Sequence, residues 1–185
     1  DDINKKEPLY PLNCLLDKKS GCIFNEIITP DTKRYNLYDY SYTSSNSNYS
    51  KNYWRDYALK FKQEYKKKGK ILEIGCNDGF LLKHLNKKGF DTYGCDASKF
   101  ITNLFKNKKI KIMNYIFNFQ NSKKISRRIG KVDYVIANNV VNHSNNPDNF
   151  FKGVRNILNK DGYFIFEQPY WLEMMKTSRI DQIYH

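Results

Sequence analysis

No stretch of this chain approaches the eighteen or so apolar residues of a membrane span, and Asp1-Asp2 does not begin a secretory signal. Proline is scarce, five in 185 residues, and Pro8, Pro11 and Pro30 crowd the first part of the chain. There are four cysteines, at positions 14, 22, 76 and 95, and no two are separated by two residues, which excludes an intact zinc knuckle or a redox pair. Cys76 and Cys95 stand inside apolar runs and read as small buried side chains, so a reducing, cytoplasmic setting is the default. Acidic residues are absent between Ala97 and Val132, where Lys99, Lys106, Lys108, Lys109, Lys111, Lys123, Lys124, Arg127, Arg128 and Lys131 follow one another.

What is present points to a folded chain. Aromatic residues make up 16% of the sequence, which argues against disorder although the apolar fraction is a modest 40%. The length suits one domain and is enough to bury about 70% of the unfolded surface without a disulfide or metal. The net charge of +13 admits a nucleic-acid or other anionic partner. Lysine heavily outnumbers arginine, however, whereas base-reading surfaces favour arginine's bidentate contacts.

Residues 1–50 read as irregular, with a polar loop at Tyr42–Asn48. From Tyr53 to Lys68, Trp54, Tyr57, Ala58, Phe61 and Tyr65 recur at helical spacing. Short apolar runs then alternate with amphipathic stretches: Ile71–Ile74, Phe80–Lys87, Thr92–Cys95, Lys99–Lys106, Ile110–Met113, a basic stretch, Val132–Ala137, a helix from Pro147 to Leu158, and Tyr163–Phe166 after the Asp161-Gly162 turn. This alternation predicts an α/β fold: a Rossmann-like parallel sheet of about five strands covered by helices. The expected division is an N-terminal segment, 1–50, and a ligand-binding domain, 51–185.

The stretch Glu73-Ile74-Gly75-Cys76-Asn77-Asp78-Gly79 carries the chemistry. A buried strand ends at an acid and enters a glycine-bracketed turn that opens a helix, where the backbone can approach a ligand at the carboxyl end of the sheet. The third glycine of the dinucleotide fingerprint is missing, and Asp96 stands at the end of the next strand, where an acid can hold two ribose hydroxyls. A nucleoside ligand without a pyrophosphate suits this pattern, and S-adenosyl-L-methionine is the obvious candidate.

Five blocks occur in order: Asp39-Tyr40-Ser41-Tyr42-Thr43-Ser44-Ser45, Glu73–Gly79, Ala137-Asn138-Asn139-Val140-Val141-Asn142-His143, Phe166-Glu167-Gln168-Pro169-Tyr170 and Asp181-Gln182-Ile183-Tyr184-His185. Together the chain resembles the S-adenosylmethionine-dependent sugar C-methyltransferases, which have a class I methyltransferase fold and methylate C3 of a nucleotide-linked 4-keto-deoxysugar. The resemblance implies a cofactor site at Glu73, Gly75, Asn77, Gly79, Asp96 and Asn138. It implies a substrate site involving Tyr40, Tyr42, His143, Glu167 and Tyr184, with a nucleotide-linked sugar as partner and no membrane. A carbon acid needs a base to remove the proton α to its ketone and hydrogen-bond donors to hold the enolate. His143 and the phenols are of the right kind.

Three departures from that family accompany the match. Its N-terminal zinc module uses paired Cys-x-x-Cys, but the second pair aligns with Asp17 and Ser20, so no metal is expected. The Asp181–His185 block stops short of the Glu-His pair that follows it in the family, where the resemblance implies that pair as the catalytic base. Two further strands and a large C-terminal domain are also missing, which would leave Tyr163–Phe166 as an apolar edge and the isolated chain prone to aggregate. The expectation is therefore one piece of a longer protein, or a chain completed by a partner. Two alternatives stay open: a nucleic-acid methyltransferase using Lys99–Lys131 as a phosphate track, and a cofactor-binding interaction module without catalysis. Against the first, Asn138-Asn139-Val140-Val141 stands where amino-methylating nucleic-acid enzymes carry Asn/Asp-Pro-Pro-Tyr/Phe.

Overall fold

The computed structural model describes residues 9, 11–30, 34–35, 42–105 and 109–179. Within it the chain forms two compact units, one of residues 31–168 and one of residues 1–30 with 169–185.

The larger unit is built on a five-stranded, all-parallel sheet. In chain order its elements are α1 (Asn48–Glu64), β3 (Lys70–Ile74), α2 (Phe80–Lys87), β4 (Asp91–Asp96), α3 (Lys99–Leu104), β5 (Lys111–Asn114), α4 (Phe119–Ile129), β6 (Val132–Asn138), α5 (Pro147–Ile157) and β7 (Leu158–Glu167). A 3₁₀ turn at Val141–His143 links β6 to α5. The strands lie in the order β5-β4-β3-β6-β7, so the chain winds outward from β3 to β5 and then returns to the other side of β3. The adjacent β3 and β6 thus flank a topological switch point, where open parallel sheets take their ligands.

Composition explains the layers. Parallel strands covered on both faces must be apolar on both, and Ile71, Leu72, Ile74, Val135, Ile136 and Ala137 are all buried. Ile71, Tyr134 and Ile136 pack with Ala58, Phe61, Leu81, Leu85 and Phe90 beneath α1 and α2. Leu72, Ile74, Val135 and Ala137 face the other way, onto Ile125, Ile129, Phe150, Val154 and Ile157 of α4 and α5. Helix starts follow local chemistry: the side chains of Ser47, Ser98, Asn118 and Asn146 each accept a backbone N–H of the first turn. Pro147 fills the first turn of α5, where its missing N–H costs nothing.

The basic stretch of the sequence becomes α4. Part of its charge is spent locally, with Lys124 and Arg128 both placed against the Tyr115 ring and Lys123 at 4.2 Å from the Phe119 ring centre. The last strand starts earlier than its sequence suggests. Leu158 already pairs with Val132, and the pairing resumes at Tyr134 with Tyr163, so Asp161-Gly162 lies in an irregularity within β7. Among the described residues β7 forms one outer edge of the sheet, with Tyr163 and Phe166 about half exposed.

The smaller unit contains a feature that the reading of residues 1–50 as irregular does not include. β1 (Cys14–Leu16) and β2 (Ile23–Asn25) form an antiparallel hairpin. Three-residue strands are too short to show alternation, and the turn between them makes the hairpin. Asp17 accepts the N–H groups of Lys19 and Ser20 and the Ser20 hydroxyl, while its own N–H donates to the Cys22 carbonyl at 2.9 Å. Asp17 and Ser20 therefore bond directly to each other. This unit also holds α6 (Trp171–Lys176). Among the described residues no helix is long and apolar enough to cross a membrane.

Candidate functional site

The carboxyl ends of β3, β4, β6 and β7 carry Glu73, Asp96, Asn138 and Glu167 respectively. All four ends belong to one edge of the parallel sheet, so the fold gathers side chains that span 95 positions of sequence.

The turn after β3 is fixed by its backbone. Gly75 and Gly79 both have φ +67°, in the left-handed region that side chains disfavour. A Cβ on Gly75 would lie 2.3 Å from Val140 Cγ2, and one on Gly79 would lie 2.4 Å from the Phe105 ring. Either substitution would force a shift. The Gly75 and Cys76 N–H groups both donate to the Cys95 carbonyl, at 2.7 and 3.2 Å, which ties the turn to β4.

Asp96 is held at both oxygens. The Asn77 N–H donates to Oδ2 and the Ser98 N–H to Oδ1, each at 2.9 Å. Burial raises its pKa, and these two backbone donors oppose the shift. Glu73 is more extreme. It is buried, its Oε2 has no hydrogen-bond partner among the described residues, and burial, with Asp78 and Asp96 nearby, lifts its pKa well above the ordinary carboxylate range. Asn138 likewise has a buried Nδ2 without a partner among the described residues.

Asn77 does more than line the turn. At φ +50° it is itself left-handed. Its Oδ1 accepts the Ser44 N–H at 2.8 Å and its Nδ2 donates to the Tyr42 carbonyl at 2.9 Å. Next to it, Asp78 Oδ2 accepts the Ser45 N–H and hydroxyl at 3.1 and 2.5 Å. The loop beginning at Tyr42 is thereby fastened to the glycine turn, although 33 residues separate Ser44 from Asn77. The Tyr42 side chain is about half exposed.

On the other side, Glu167 accepts the Tyr53 hydroxyl and, at 3.4 Å, the Asn139 side-chain amide. The Tyr57 hydroxyl donates to Asn138 Oδ1 at 3.5 Å. Burial is the main cause that pushes the Tyr57 phenol up to about 12, opposed by its bond to Asn138 and helped by Glu73 and Glu167; Tyr53 is raised too, by burial and by its bond to Glu167. His143 lies in the 3₁₀ turn after β6, its carbonyl accepting Arg34 Nη1 at 2.9 Å, while Arg34 Nη2 donates to Asn145 Oδ1 at 3.1 Å.

Of the residues singled out by sequence, Glu73, Gly75, Asn77, Gly79, Asp96, Asn138, Tyr42, His143 and Glu167 thus lie at the carboxyl ends of these strands or on the turns and loop attached to them. Tyr40 and Tyr184 lie outside the described residues. Sequence reasoning missed Tyr53, Tyr57, Asp78, Ser44, Ser45 and Arg34. Tyr57 was visible only as part of a helix face and Tyr53 as its start, Asp78, Ser44 and Ser45 stood inside the sequence blocks without a role, and Arg34 carries no local signal.

A strand order that reverses at β3, a glycine turn after β3 and a held acid after β4 define a class I, S-adenosylmethionine-dependent methyltransferase domain. Comparison with known proteins agrees. Residues 47–184 match the family described as "Methyltransferase domain", and the chain belongs to it. A curated relative, C-methyltransferase NovU of Streptomyces niveus, is 24% identical over 115 residues, covering 62% of this chain and 27% of NovU. Among solved structures, PH0226 from Pyrococcus horikoshii superposes with a TM-score of 0.58 at 20% identity, covering 82% of this chain and 72% of that one. The plantazolicin methyltransferase BpumL, solved with a monoazolic desmethylPZN analogue and S-adenosylhomocysteine, gives 0.57 at 16% identity, covering 71% and 56%. These structural likenesses establish the fold. The chain spans about a quarter of NovU and about half of BpumL.

The site fits the cofactor of this class. Asp96 offers a carboxylate, held in place by two backbone donors, for vicinal hydroxyls. Glu73 Oε2 and Asn138 Nδ2 are an acceptor and a donor, buried and unspent. Buried polar atoms of this kind are costly unless something completes them.

Proposed function

We propose that this chain is the methyl-transfer domain of an enzyme that methylates C3 of a nucleotide-linked 4-keto-deoxysugar. The observation that carries the reading is the union of two sequence blocks: Asn77 and Asp78 of the glycine turn bind the backbone of Tyr42, Ser44 and Ser45 directly. Only the first block belongs to the fold in general. The tyrosine block belongs to the resemblance with sugar C-methyltransferases, and the similarity to NovU, itself named a C-methyltransferase, supports the same direction.

S-adenosylmethionine supplies the methyl group. Asp96 takes the ribose hydroxyls, Gly75 and Gly79 let the turn adopt its left-handed backbone against Val140 and Phe105, and Glu73 and Asn138 complete the polar end of the site. Asn77 holds Asp96 through its N–H and the acceptor loop through its side chain. On the acceptor side, His143 removes the proton α to the ketone and the Tyr42 phenol donates to the enolate oxygen. Glu167, held by Tyr53 and Asn139, orients the sugar through its hydroxyls. The lysine-rich surface attracts the pyrophosphate of the sugar carrier.

The test is transfer of a ¹³C-methyl group from labelled cofactor to a nucleoside-diphosphate 4-keto-6-deoxysugar, read by carbon NMR. A carbon-bound methyl signal, reduced strongly by His143→Ala, is expected. An oxygen- or nitrogen-bound methyl signal, or no transfer by the complete enzyme of which this chain is a domain, would overturn the reading.

A further inference from the structure

Tyr53 and Tyr57 stand one helical turn apart on α1, whose apolar face packs on the sheet. Tyr57 is the deeper of the two, its ring 5.7 Å from that of Trp54 and its hydroxyl reaching the end of β6. A phenol used only for packing would leave that hydroxyl to water. Here it meets the side-chain amide of Asn138, and that contact determines what Asn138 can do.

An asparagine amide has an acceptor end and a donor end, and a half-turn about its last bond exchanges them. With the Tyr57 hydroxyl donating to Oδ1, the acceptor end is occupied and Nδ2 remains. Nδ2 is buried and has no partner among the described residues, at the end of the strand whose Ile136 pairs with Glu73, a residue that itself has a buried, unpartnered Oε2. Burial disfavours the Tyr57 anion, with Glu73 and Glu167 adding to it and outweighing the opposite effect of the bond to Asn138, so the phenol keeps the proton it donates.

Resting on the cofactor reading above, we propose that Tyr57 is a positioning residue of the cofactor site: it holds the Asn138 amide so that Nδ2 faces the ligand as a donor to an acceptor oxygen. The helix that covers the sheet therefore also sets the polarity of the site. Tyr57 acts through Asn138 and needs no contact with the ligand itself.

The experiment is a double-mutant cycle on the full chain, with S-adenosylhomocysteine affinity measured by calorimetric titration. Tyr57→Phe keeps the ring and removes the hydroxyl, and roughly fivefold weaker binding is expected, the worth of one net hydrogen bond. In an Asn138→Ala background the same change should have no further effect. In the wild type, the Asn138 side-chain amide resonances should shift on titration with S-adenosylhomocysteine, and in Tyr57→Phe that shift should shrink while the thermal midpoint without ligand is kept. Unchanged affinity of Tyr57→Phe, or equal losses in both backgrounds, would overturn the proposal while leaving the cofactor site intact. Failure of the folded wild-type chain to bind S-adenosylhomocysteine would overturn the cofactor reading on which it rests.

Discussion

Gly75 offers a sharp test of the turn geometry. Its φ of +67° makes any other residue pay a backbone cost of about 1–2 kcal/mol. A methyl group there would also lie 2.3 Å from Val140 Cγ2, far inside contact distance. Val140 is β-branched and turns reluctantly, so overpacking adds about 1–3 kcal/mol. Gly75→Ala should therefore destabilise the chain by about 3–4 kcal/mol, a fall of about 10 °C in thermal midpoint for a domain of this size. The two contributions are separable. Val140→Ala alone should cost about 1 kcal/mol, yet in the Gly75→Ala background it should restore about 2 kcal/mol by making room, leaving the backbone cost in place. Calorimetry or urea unfolding of the four proteins measures this. A Gly75→Ala chain as stable as wild type, or strictly additive losses in the double variant, would refute the reasoning.

Other outcomes follow from the same geometry. Because Glu73 titrates above its ordinary range in the folded chain, the native state holds that proton to higher pH than the unfolded state, so its effect on stability is most favourable in acid and is lost as pH rises through the raised value. Glu73→Gln should match wild type near about pH 4 and become progressively more stable than it above, while losing cofactor affinity; pH-dependent melts showing a variant less stable at neutral pH would contradict the sign. Asn77→Ala removes two hydrogen bonds to the loop, worth about 1 kcal/mol each, and should speed amide exchange and proteolysis at Tyr42–Ser45 before it affects the sheet. Equal protection of the loop in variant and wild type would refute that anchoring. Glu167→Gln should return the Tyr53 phenol toward its ordinary pKa, followed by ultraviolet titration of tyrosines, since both its bond to Glu167 and the charge would be weakened.

The sheet was legible because its strands are apolar on both faces and its helices amphipathic, so Ile71–Ile74, Phe80–Lys87 and Val132–Ala137 announce themselves within their own windows. The glycine turn and Asp96 were legible for a related reason: left-handed backbone demands particular residues at particular spacings. The polar half of the site was not. Helical periodicity identifies the side of α1 that turns toward the protein, but it cannot distinguish Phe61, which ends in the core, from Tyr57, whose hydroxyl reaches the rim of the sheet. The fastening of Ser44 and Ser45 to Asn77 and Asp78 is a contact across 33 residues between small polar side chains, with no pattern to reveal it. The hairpin at Cys14–Asn25 escaped because its strands are short and it depends on a side-chain-stabilised turn at Asp17.

The central claim is that the carboxyl edge of this sheet holds S-adenosylmethionine through Asp96. Calorimetric titration of the chain with S-adenosylhomocysteine at two salt concentrations tests it most directly. The account predicts one site of micromolar affinity, little affected by salt and abolished in a folded Asp96→Ala chain. A folded chain with no binding, or one whose Asp96→Ala variant binds equally well, would contradict it.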